Sequence, residues 1–235
     1  MPQQANLVRL GLTDYRDAWR LQRVLAAAVG DEARADTVVF LEHPPTITLG
    51  RRSEEAELHL PPNVEAEVVE TDRGGRSTYH APGQLVCYPI IDLRRHKKDV
   101  RLYCRNLEQA IIATLEAFGL EGRRMEGLTG VWVPTEDGVA KIASIGVHIR
   151  RWVTTHGFAL NVNLDPAPFT EWITACGLDD TSFTTMAREL DAPLSVDEVV
   201  PVAAIALEEC FGLEFISVDL SRDLGGAGLA SLGAS

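Results

Sequence analysis

The chain of 235 residues is 46% hydrophobic and 24% charged, enough to bury a full core as one large domain. Its net charge of −12 argues against nonspecific nucleic-acid binding, which needs a basic footprint on phosphate. No run reaches the roughly 18 uninterrupted apolar residues of a membrane span and Met1-Pro2-Gln3-Gln4 opens no signal peptide, so a soluble, cytoplasmic protein is expected.

In chain order, Tyr15, Ala18, Trp19, Leu25, Ala28 and Val29 recur at helical spacing, with Thr13 or Asp14 as cap and Gly30 as stop. The β-branched runs 37–41 and 46–50 read as strands parted by the rigid corner His43-Pro44-Pro45. Residues 66–70 and 85–90 read as strands with a polar loop between them. A helix over about 99–118 turns Tyr103, Leu107, Ala110, Ile111, Leu115 and Phe118 inward and stops at Gly119. Residues 130–133, 139–149 and 152–160 follow as antiparallel strands, the last two turning at Arg150-Arg151.

Pro168 then opens a short helix that buries Phe169, Trp172 and Ile173 and ends at Gly177. Ser195-Val196-Asp197-Glu198 is a capping box for a helix through Leu207, in which Pro201 forces a later start or a kink. The expected organisation is one α/β domain over residues 1–220, its mixed, mainly antiparallel sheet flanked by helices. The glycine-rich residues 221–235 read as a flexible tail.

The chemistry concentrates in Arg73-Gly74-Gly75-Arg76-Ser77-Thr78-Tyr79-His80-Ala81-Pro82-Gly83-Gln84. Its glycines permit close backbone approach, and a polar loop held between strands is where binding sites are built. Cys87, Cys104, Cys176 and Cys210 form no CxxC pair and read as free thiols, and no HExxH or clustered acidic set suggests a metal. Cys176 falls at the C-terminus of the short helix, where the macrodipole disfavours a thiolate, so a cation must compensate if it reacts. Lys141 shares a strand face with Ala143, Ile145, Val147 and Ile149, which sets its ammonium at the margin of an apolar surface. The residues alone leave two other readings open: a buried structural thiol, and a solvated lysine that blunts a strand edge.

Together with Lys141-Ile142-Ala143-Ser144-Ile145-Gly146-Val147, His156-Gly157-Phe158-Ala159-Leu160-Asn161 and Phe169-Thr170-Glu171-Trp172-Ile173-Thr174-Ala175-Cys176-Gly177-Leu178, the Arg73 loop resembles the lipoate-protein ligase B family. These are the octanoyltransferases that begin protein lipoylation. The resemblance implies a fold similar to the catalytic domain of biotin and lipoate ligases, with Cys176 as acyl-thioester nucleophile and Lys141 as the residue that activates it. It implies substrate contacts from Arg73, Gly74, Gly75, Arg76, Ser77, Thr78, Tyr79, His80, Ser144, Ile145, Gly146, Gly157, Phe158 and Ala159, with His80 and His156 as candidates for orienting the carbonyl or the loops.

The implied donor is octanoyl-acyl carrier protein. The implied acceptors are lipoyl domains of 2-oxoacid dehydrogenases and the glycine-cleavage H protein, with no cofactor, nucleic acid or membrane. Arg94-Arg95-His96-Lys97-Lys98 with Arg101 and Arg105 is the first docking candidate for an acidic carrier. An ATP-dependent lipoate or biotin-type ligase is the nearest alternative, opposed by the cysteine at 176 and by the lack of a substantial second domain after residue 180. A catalytically silent carrier-binding module is the alternative from another class.

Overall fold

In the central strands both alternate sets of side chains are apolar, so these strands must be covered on two faces. The computed structural model, which describes residues 2–175 and 181–220, bears this out. β1 (Gln3–Leu12) leads into α1 (Tyr15–Gly30), where the Asp14 carboxylate accepts from the Arg16 and Asp17 N–H groups. β2 (Thr37–Glu42) reaches the His43-Pro44-Pro45 corner, beyond which β3 (Thr46–Leu49) enters a different sheet. A 3-10 turn (Glu55–Glu57), β4 (Glu67–Glu70), β5 (Thr78–His80) and β6 (Gln84–Ile90) follow.

The second half starts with α2 (Val100–Ala117), capped by Asp99, and continues through β7 (Val131–Thr135), β8 (Gly138–Arg150) and β9 (Val153–Asn161). Then come α3 (Pro168–Glu171), β10 (Ser182–Phe183), α4 (Met186–Glu189), α5 (Val196–Phe211) and β11 (Leu213–Ser217).

The larger sheet runs β10-β8-β9-β6-β2-β1-β11, with β7 also paired to β8, and the smaller runs β4-β3-β5. Within the larger sheet, β2·β6, β6·β9, β8·β9 and β7·β8 are antiparallel. β1·β2, β1·β11 and β10·β8 are parallel. The period of two divides β2 between two cores: Val38 and Phe40 join Leu85, Leu107, Leu115 and Val199 under α2 and α5, while Val39 and Leu41 join Leu21 and Leu25 under α1. No helix among the described residues is long and apolar enough to cross a membrane.

Three local expectations change, and that for Pro201 narrows to one of its two alternatives. The β8–β9 turn lies at Arg151-Trp152 instead of Arg150-Arg151, both with positive φ, as a two-residue hairpin loop requires. α5 keeps its full capping box and carries Pro201 in its interior, so the helix does not start late. α3 ends at Glu171, and Ile173 instead bridges to Leu58, so the helix does not reach Gly177. The polar loop contributes β5, which pairs with β3. Cys176, Gly177 and the tail over 221–235 lie outside the described residues.

Candidate active site

Arg73 is the anchor of the site. The residue is 6% exposed, and its guanidinium donates to the Thr48 carbonyl at 2.6 Å and to Thr48 Oγ1 at 2.7 and 3.1 Å, which fastens the loop to β3. The next residue, Gly74, donates its N–H to the Val147 carbonyl of β8 at 2.9 Å. Further on, Glu57 accepts from Arg76 at 2.5 Å and from the Ser77 hydroxyl at 2.6 Å, while its backbone carbonyl accepts from Thr174 N–H at 2.9 Å. One residue thus ties the loop to the segment leading to position 176. The smaller sheet carries this loop over β8 and β9, and the space between is a cavity of about 420 Å³.

Beside the cavity stands a buried cluster of Tyr15, His43, His80, Tyr88 and His156. Hydrogen bonding sets each tautomer. His43 Nδ1 faces the Thr13 carbonyl at 2.7 Å and must carry the proton, so Nε2 accepts from the Tyr88 hydroxyl at 2.7 Å. Gln84 donates its amide to the Tyr79 carbonyl and to Asn161 Oδ1, which leaves Gln84 Oε1 to accept from His80 Nδ1–H at 2.7 Å. His156 directs Nε2 at Asp72, 2.7 Å away.

Burial lowers the His43 pKa to about 4 and holds His80 well below its ordinary value. His156 is drawn down by burial more than Asp72 raises it, so a neutral imidazole donates Nε2–H to the carboxylate. Asp72 is held down to about 2, chiefly by that bond. Burial lifts Tyr15 to about 12.

Lys141 lies on the opposite wall, 3% exposed. It is no edge residue: β8 is flanked there by Trp132 of β7 and Phe183 of β10. The β7–β8 register slips by one between Lys141 and Ala143, a bulge that ends the simple face-sharing expected from alternation. Nζ sits 4.9 Å from the Trp132 ring centroid. The three described cysteines are poor nucleophiles, because burial pushes Cys87 far up, Cys104 up to about 11 and Cys210 upward. Among the described residues no three His, Cys, Asp or Glu side chains are grouped to hold a metal.

Residues 14–208 match the lipoyl protein ligase A/B catalytic domain. An octanoyltransferase of Roseiflexus sp. (strain RS-1) is 46% identical over 205 residues, 85% of this chain and 82% of that one. An octanoyltransferase of Chloroflexus aurantiacus is 46% identical over 210 residues, covering 87% and 93%. The chain belongs to the octanoyltransferase family. It is an acyltransferase. Its fold matches that of a bipartite lipoate protein ligase from Thermoplasma acidophilum, with a TM-score of 0.70 at 17% identity over 97% of this chain and 91% of that one.

In this family member the cavity brings together most of the residues expected from sequence. Arg73 to Thr78 and His80 line one side, Lys141, Ser144, Ile145 and Gly146 another, and His156, Gly157, Phe158 and Ala159 a third. Tyr79 does not join them: alternation in β5 turns it away, edge-on to Phe169 and Trp172. Cys176 lies outside the described residues.

Sequence reasoning missed Tyr15 and Tyr88, whose helical and strand periodicity marked only core, and Gly127 to Thr129, whose glycine spacing was the available signal. In the basic cluster, Arg94 engages buried Asp92, and Arg95 and His96 engage buried Asp36, each at 2.6 to 2.7 Å. Lys97, Lys98, Arg101 and Arg105 are exposed, as are Arg94 and Arg95 despite their ion pairs.

Proposed function

We propose that the chain transfers an octanoyl group from the phosphopantetheine thioester of acyl carrier protein to a lysine of a lipoyl domain, in the cytoplasm, as the first step of protein lipoylation. In the first half-reaction the Cys176 sulfur bonds to the acyl carbon as the carrier's carbon–sulfur bond breaks, and the carrier thiol leaves with a proton supplied through Lys141. In the second, the acceptor amine bonds to the same carbon, Cys176 leaves, and the amine's proton returns by way of Lys141. The lipoyl domains of 2-oxoacid dehydrogenases and the H protein are the acceptors, and neither metal nor nucleotide takes part.

The observation that carries this reading is the burial of Lys141 in a cavity wall opposite a loop that Glu57 joins to Thr174, two residues before Cys176. The raised thiols of Cys87, Cys104 and Cys210 favour Cys176 as the nucleophile. Intact-mass spectrometry after mixing with octanoyl-acyl carrier protein, without ATP, tests it. A single octanoyl adduct that is lost in Cys176→Ala and transferable to a lipoyl domain supports the reading. Transfer that occurs only when ATP is present replaces it with the ligase chemistry.

A further inference from the structure

Trp132 is 2% exposed yet belongs to none of the three apolar clusters formed by the described residues, whereas its neighbours Val131 and Val133 both pack into the main one. Strand alternation turns the indole to the opposite face, where Lys141 is its direct cross-strand partner. There Nζ stands 4.9 Å from the ring centroid, inside the ~6 Å reach of a cation–π contact.

Three features hold this pair in place. Trp132 exchanges both backbone hydrogen bonds with Arg123, at 2.7 and 2.9 Å, on the side away from β8. Gly130, at φ +135°, leaves room for the lysine stem: a Cβ there would come within 2.8 Å of Lys141 Cε and 2.6 Å of the Ala143 carbonyl oxygen. Glu108 lies behind this glycine, 3.4 Å from its N–H, and is itself paired with Arg124 at 3.1 Å.

We propose that Trp132 is a positioning residue for acyl transfer, holding the Lys141 side chain against its indole face whenever the lysine carries its proton. This rests on the assignment of Lys141 as the group that handles protons. The π face suits that task because it attracts a cation without accepting its proton. A carboxylate in the same place would take a hydrogen bond from the ammonium and hold its proton more tightly.

The test compares Trp132→Phe, Trp132→Leu and Lys141→Ala in steady-state octanoyl transfer to a lipoyl domain, with thermal unfolding of each. Trp132→Leu is expected to lower kcat about tenfold with KM within about twofold, while Trp132→Phe, which restores a π face, keeps most of the activity. Equal loss in the two Trp132 variants, or loss in neither while Lys141→Ala is inactive, overturns the proposal alone. An active Lys141→Ala overturns both it and the reading on which it rests.

Should the leucine variant fail to fold, the wild-type chain still decides. It has three lysines, Lys97, Lys98 and Lys141, so selective carbon-13 labelling yields a readable set of Cε resonances, assigned by the one that Lys141→Arg removes. Ring current from the indole is expected to move the Lys141 Cε protons upfield of the other two. Coincidence of all three overturns the proposal.

Discussion

Gly146 on β8 and Gly157 on β9 are direct cross-strand partners on the wall of the cavity. Neither has free room for a side chain: a Cβ on Gly157 would stand 2.2 Å from the Cys87 carbonyl oxygen of β6. A Cβ on Gly146 would stand 3.0 Å from the Gly74 carbonyl oxygen and 3.2 Å from Arg73 Cδ, pressing on the loop that roofs the cavity. Gly146→Ala is expected to cut kcat/KM for an octanoyl thioester by about tenfold, with a smaller loss for a butanoyl thioester. Equal losses would place the strip outside the acyl path.

The Glu57 tether has a calculable pH dependence. Burial alone would push its carboxyl up, but hydrogen bonds from Ser77 and Arg76 outweigh that and hold it below its ordinary 4.5. A depressed carboxylate stabilises the fold above its unfolded pKa and loses that contribution as pH falls through the folded value, so the tether weakens only in acid below about 4.5. Glu57→Gln removes the charge at every pH. It is expected to cost about 1–2 kcal/mol in denaturant titration and to expose residues 72–77 to limited proteolysis at neutral pH.

The neutral histidines act over a higher range with the same sign. His43 falls from 6.5 to about 4 on folding, so the unfolded chain takes up its proton first as pH drops. Stability is whole above about pH 6.5 and falls toward pH 4 by up to about 1.4 kcal/mol per pH unit for each such group. His80, also drawn down by burial, adds to the slope. Denaturant midpoints at pH 7, 6 and 5 measure it. His43→Asn is expected to flatten the curve, and an unchanged slope would show that His43 is not among the titrating groups.

Asp36 and Asp92 are both fully buried; Arg94 neutralises Asp92, Arg95 neutralises Asp36, and His96 Nε2 lies 2.6 Å from Asp36. Removing one partner of a buried charge costs more than the pair itself contributes, because the remaining ion is left without compensation. Arg95→Ala is therefore expected to destabilise the fold by about 2–3 kcal/mol while leaving kcat close to the wild-type value. Calorimetry and steady-state kinetics on one preparation check both halves of this expectation.

Most of the large sheet was legible because its strands obey a strict period: 37–41, 85–90 and 152–160 alternate between two apolar faces, and their boundaries fall within a residue or two of those seen. β1 and β11 were not, since Gln3-Gln4-Ala5-Asn6 and Leu213-Glu214-Phe215 are strands only by virtue of the neighbours they pair with. Arg73, Gly74 and Gly75 were readable from the composition of their loop, Gly146 and Gly157 through the family resemblance, and Gly127 by neither route. Tyr15, Tyr88 and Trp132 were not, because an aromatic at a core position has the same periodicity whether it faces apolar side chains or a charged one. The bulge beside Lys141 leaves no local mark in Ala140-Lys141-Ile142-Ala143, as it arises from pairing with β7.

β1 lies between β2 and β11, so Gln3 pairs in parallel with Leu213, 210 positions later (213 − 3). During synthesis the earliest strand of the sheet must wait for the latest before its second edge is closed. Until then it offers a row of unpaired N–H and C=O groups to any other nascent chain. Closing so long a loop is also slow, because its entropy cost comes before any contact is made. The finished fold covers this edge from Gln3 to Leu7, and for that stretch the hazard belongs to the interval before β11 is made.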